Sequence, residues 1–197
     1  MPLYHMASSM VYIVVAPVIM LTAALPVVIY IVARWRASRG GEAPDPQLGF
    51  KVVLSWFRVS AYQLLLLGGF LLLYGLIGDL DGDQEDVLRT AGGLLFPAFV
   101  IFVAHLLALE VTNASERPTV VRMFAGLNLV QTGLIGFIAV VFAGILLFQK
   151  DVPTQVGRMA WSLVLVYVPA WAIQGVMLAK KVTARSLRRP ARAPNAE

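Results

Sequence analysis

Between Arg58 and Asp79 the chain reads VSAYQLLLLGGFLLLYGLIG, residues Val59 to Gly78, without a single charge. Roughly 20 apolar residues in a helix cross a hydrocarbon layer about 30 Å thick, so this stretch has the length of one membrane passage. Lipid offers no partner for backbone N–H and C=O groups, which makes the passage a helix. The run is too long and too uniformly apolar for a strand of a membrane barrel.

Similar runs lie to either side: a first at Met10 to Val32, a third at Thr90 to Leu109, a fourth at Leu127 to Leu147 and a fifth at Met159 to Ala179. Of the 197 residues, 59% are hydrophobic and only 14% charged, with a mean hydropathy of +0.78, which excludes an ordinary soluble domain. The expected fold is therefore all-α: a polytopic membrane protein with a bundle of five transmembrane helices over residues 1–181 and a basic, disordered tail over 182–197. The segment before Met10 carries no Lys or Arg, and the run after it exceeds the roughly 7–15 residues of a signal-peptide core, so it is read as a retained span.

Charge between the spans orients them. Arg34, Arg36 and Arg39 follow the first span, and Lys180, Lys181, Arg185, Arg188, Arg189 and Arg192 follow the fifth, whereas Asp79, Asp81, Asp83, Glu85 and Asp86 fill the loop after the second. Lys and Arg collect on the cytoplasmic side, so the N-terminus is expected outside and the C-terminus in the cytoplasm. The connector Gly40 to Phe50, with its Pro and Gly, reads as a loop. Trp35, Trp56 and Trp161 fall where aromatic rings favour the headgroup level.

Spans two and three also resemble spans four and five. Leu107-Ala108-Leu109-Glu110-Val111-Thr112 parallels Leu178-Ala179-Lys180-Lys181-Val182-Thr183, and Gln63 and Gln131 hold similar places in the second and fourth spans. Repeated halves build many transporters, and this pattern suggests a parallel repeat of helix hairpins; chance is the competing reading, because apolar sequence draws on few letters.

Polar side chains within spans are costly and mark candidate sites. Gln63, His105, Gln131 and Gln174 each lie about four to six residues inside the cytoplasmic boundary, or roughly 6 to 9 Å at about 1.5 Å rise per residue. With Asn128 on the fourth span, and Arg58 and Glu110 near the same interface, they form the candidate ligand-binding set, in which His105 is the group able to titrate near neutral pH. The competing reading is that these groups only bond neighbouring helices.

The chain contains no cysteine, which excludes disulfides, thiolate metal sites and a cysteine nucleophile. Two histidines, His5 and His105, fall near opposite faces and do not make a bis-histidine haem site. No metal-ligand spacing and no nucleophile elbow occurs, so neither cofactor nor metal is expected. The acidic loop lacks the spacing of an EF-hand. Asn113-Ala114-Ser115 is a glycosylation sequon that the topology places inside. Gly68, Gly69, Gly75, Gly126, Gly133 and Gly136 suggest close helix packing, internal or at an oligomer face.

These readings favour an integral membrane subunit or scaffold acting within a larger assembly, without catalysis. The alternatives are a small transporter or channel with a polar pocket near the cytoplasmic face, and an intramembrane lipid-modifying enzyme built on Arg58, His105 and Glu110. The expected partners are the bilayer, anionic lipids at the basic tail, and another protein or a second copy; nucleic acid is not expected.

Overall fold

The computed structural model describes residues 24–39, 45–77, 82–115, 117–150 and 152–186, with side chains through Lys180. Every regular element among them is an α-helix: α1 over 24–39, α2 Leu48–Ile77, α3 Gln84–Val111, α4 Arg117–Phe148 and α5 Thr154–Ser186. Four of these, α2 to α5, are long and apolar enough to cross a membrane, and the chain is an all-α polytopic membrane protein. Residues 10–23 of the expected first span, His5, Asp79, Asp81, and the tail beyond Ser186 lie outside the described residues; the part of that span at 24–32 is helical.

Each described span runs past its apolar stretch. α2 begins at Leu48 rather than near Val59 because Asp45 and Pro46 start it. The Asp45 Oδ1 accepts the Gln47 backbone N–H at 2.9 Å, and the Asp45 carbonyl accepts from Leu48 at 3.1 Å. This is an N-cap aspartate followed by a proline whose missing N–H costs nothing at the first helical position. α3 opens with Glu85 and Asp86 in its first turn, where carboxylates meet the positive end of the helix dipole. Its other end is closed by Arg117, whose guanidinium donates to the carbonyls of Glu110 at 3.0 Å and Leu109 at 3.2 Å. A cation on free terminal carbonyls suits that end of the dipole.

The chain divides into two compact units, Met1–Phe57 with Ala104–Met123, and Arg58–Val103 with Phe124–Glu197. In the first, α1 buries Ile29, Ala33 and Ala37 at a spacing of four, and Leu48, Val52, Leu109 and Val120 are buried too. In the second, α4 buries Phe124, Asn128, Thr132, Gly136, Ala139 and Ala143 as one stripe, and small residues on it let helices approach. A Cβ on Gly133 would stand 2.6 Å from Trp171 Nε1, and one on Gly68 would stand 2.8 Å from Leu95 Cγ. Both glycines are thus used for packing within this unit.

The burial pattern is that of a protein whose solvent is lipid. In the most apolar window of each span only 11 to 22% is buried, while Phe96 and Phe137 are 74% and 67% exposed. Apolar side chains directed outward at that scale would leave a soluble protein insoluble.

Candidate functional site

Three helices of the second unit bring their polar side chains together. Tyr62 and Gln63 come from α2, Asn128 and Thr132 from α4 at helical spacing of four, and Gln174 from α5. The Gln63 amide nitrogen donates to Asn128 Oδ1 at 2.7 Å and to Thr132 Oγ1 at 3.0 Å. Asn128 in turn donates to Gln174 Oε1 at 2.8 Å, and Gln174 donates to the Tyr62 hydroxyl at 3.0 Å and to Thr132 Oγ1 at 3.4 Å. Asn128 and Thr132 are buried. Such bonds between membrane helices contribute about 0.6 to 2 kcal/mol each.

The cluster leaves acceptors unused. Gln63 Oε1 and Gln131 Oε1 are buried without a hydrogen-bond partner, and an unmet acceptor costs roughly 1–3 kcal/mol. Amides and hydroxyls of this kind can orient a ligand that carries donors. The amides of Gln63, Asn128 and Gln174 carry no titratable proton and act as donors and acceptors alone.

Of the residues expected to form a ligand site, Gln63, Asn128 and Gln174 are joined directly. Gln131 sits beside Thr132 in the same unit, and Arg58 stands one turn before Tyr62 on α2. His105 and Glu110 belong to the first unit. There the His105 ring lies 5.2 Å from that of Phe57, and Glu110, 70% exposed, faces Arg117 at 3.5 Å. Tyr62 and Thr132 escaped the sequence reading, although Thr132 follows Asn128 by one turn and shares its face.

A second polar cluster, in the first unit, was not expected at all. Lys51, on the first turns of α2, is fully buried, and its ammonium donates to the Asp45 carboxylate, to Asn113 Oδ1 and to the Ser115 carbonyl. Asn113 returns a bond to Asp45 Oδ1 at 3.2 Å and takes Gln47 Oε1 on its backbone N–H at 2.9 Å. Burial alone would raise the Asp45 pKa, but the bonds from Lys51, Gln47 and Asn113 outweigh it and hold the carboxyl below its ordinary value. Ser55, one turn past Lys51, is buried with its hydroxyl unpartnered. Lys51 bonds to Asp45, Asn113 and Ser115 and not to Ser55, so Lys51 and Ser55 are not hydrogen-bonded as a serine–lysine catalytic pair requires.

No group of three His, Cys, Asp or Glu residues that could hold a metal ion occurs among the described residues. Comparison with protein-family models, with curated proteins and with solved structures finds no match to this chain.

Proposed function

We propose that this protein is an integral membrane subunit that acts within a larger membrane assembly and performs no chemistry of its own. The observation that carries this reading is the surface of α3. Only 11% of its most apolar window is buried, and Phe96 and Phe99, on either side of Pro97 and Ala98, are 74% and 58% exposed. In the lone chain these rings face lipid, and their area is open to a neighbouring chain that packs against α3. The polar interior supports the same reading, since Gln63, Asn128, Thr132 and Gln174 spend most of their bonding capacity on one another. In this reading the N-terminus lies outside and the C-terminus in the cytoplasm, following the distribution of Lys and Arg.

Purification of the full chain in mild detergent tests it. The expected result is a particle well above the 21.5 kDa of one chain plus its micelle, with a second polypeptide in fixed stoichiometry that is lost on Phe96→Ser/Phe99→Ser substitution. A chain that elutes alone and drives solute flux in vesicles overturns it. One observation favours such a transporter as the second reading: the buried, unpartnered oxygens of Gln63 and Gln131 lie in a unit whose helices α3 and α5 carry Pro97 and Pro169 inside them, where a missing backbone bond opens room.

A further inference from the structure

We propose that the end of α1 is a binding site for anionic phospholipid, with Arg34 and Arg39 on either side of Trp35 holding the headgroup phosphate, Arg36 adding positive charge nearby, and Trp35 marking the headgroup level. One face of α1 is occupied by Ile29, Ala33 and Ala37, which are buried. Along the outer side, Val27, Val28 and Ile31 are 60%, 52% and 58% exposed, and Trp35 continues them at 53%. The exposed surface is apolar for about two turns and then ends in an indole flanked by guanidinium groups. A lipid has the same order of chemistry, acyl chain first and phosphate last.

The arginines are open to the surroundings. Arg34, Arg36 and Arg39 are all exposed. Among the described residues Arg34 donates to a neutral hydroxyl, that of Tyr30 at 3.2 Å, and the Arg39 guanidinium lies 4.0 Å over the Trp35 ring. Asp45, the first carboxylate after α1 among the described residues, is already neutralised by buried Lys51. The inner pair cancels itself, so Asp45 does not draw on the positive charge of the α1 end. Arginine binds phosphate oxygens through paired N–H donors while its face stays on an aromatic ring, and indole favours the headgroup region. An acidic soluble protein would satisfy the charge but not the apolar column beneath it.

The test uses the full chain in nanodiscs of equal phosphatidylglycerol and phosphatidylcholine, with retained lipid counted by native mass spectrometry. Wild type is expected to retain phosphatidylglycerol selectively. Arg34→Gln/Arg36→Gln/Arg39→Gln is expected to reduce that selectivity at least about fivefold, the ratio for loss of a single cation at roughly 1 kcal/mol. Arg188→Gln/Arg189→Gln/Arg192→Gln in the tail is expected to leave the selectivity in place, and millimolar inorganic phosphate should not compete it away. Equal retention of the two lipids by wild type, selectivity that survives the α1 triple substitution, loss through the tail substitution alone, or displacement by free phosphate or polyglutamate each overturns the proposal. Should the α1 variant fail to insert, Ser38→Cys supplies the chain's one thiol for a fluorophore. Stronger quenching by nitroxide-headgroup phosphatidylglycerol than by its phosphatidylcholine counterpart is then expected, and equal quenching overturns the site.

Discussion

Lys51 and Asp45, six residues apart, form an ion pair from which solvent is excluded on both sides, each side chain being 0% exposed. Because Asp45 also caps α2, the pair ties the start of that helix to the residues Asn113 and Ser115 that follow α3. Removing one charge leaves the other buried and unpaired, which costs about 3–5 kcal/mol. Lys51→Met should therefore lower the melting temperature sharply in detergent. Asp45→Asn combined with Lys51→Met keeps a capping oxygen and removes both charges, so it should recover more than half of the loss. Thermal unfolding followed by circular dichroism checks both variants.

The same pair sets an acid limit. The Asp45 carboxyl lies below its ordinary value of 3.8 when folded, so the unfolded chain binds the proton first and stability falls as pH drops. The contribution is complete above about pH 5, begins to fade near the unfolded pKa of about 3.9, and is lost as pH passes down through the folded value. Melting temperature should stay level between pH 8 and 5 with respect to this group and then fall. In Asp45→Asn that part of the fall should be missing.

Within the second unit, Asn128 is the residue that both receives from Gln63 and gives to Gln174. Asn128→Leu should destabilise by roughly 1–3 kcal/mol, because it removes two bonds and leaves partners unmet. A double-mutant cycle of Gln63→Leu and Asn128→Leu should show a coupling of about 0.5 to 2 kcal/mol. Additive effects in steric-trap or denaturant unfolding would show that the bond contributes nothing.

Gly133 and Gly136 offer a contrast on one helix. A Cβ at Gly133 meets Trp171 Nε1 at 2.6 Å, whereas one at Gly136 finds its nearest neighbour, Val168 Cγ2, at 3.5 Å. Gly133→Ala should cost about 1–3 kcal/mol through overpacking, and Gly136→Ala should be nearly neutral. Trp171→Ala in the Gly133→Ala background should relieve part of the strain, a non-additivity that melting temperatures can read directly.

The spans were legible because the hydrophobic signal for lipid is strong: twenty uncharged positions from Val59 to Gly78 have few structural alternatives. Their true starts were less so. Asp45 followed by Pro46 is a helix-start pattern that composition alone classed with its loop neighbours. Gln63, Asn128 and Gln174 could be singled out because amides are scarce in apolar runs, but which of them meet depends on helix rotation, which no single segment encodes. Tyr62 and Thr132 are common in membrane helices and gave no such signal. Lys51 lies shortly before the charge-free run, where the counting rule for cations treats each as solvated, and only the fold reveals that this one is enclosed. The glycines at 68 and 133 carried a packing signal in sequence; their partners Leu95 and Trp171 did not.

Three amides of the second unit form a chain of donors, Gln63 to Asn128, Asn128 to Gln174 and Gln174 to the Tyr62 hydroxyl. Turning Asn128 alone would set its nitrogen against that of Gln63 and its oxygen against that of Gln174, so it can reverse only if both neighbours turn with it. The interior thus carries an arrow of its own, running from the bare carbonyl of Gln63 to a phenol, and a substitution at either end should be felt at the opposite one.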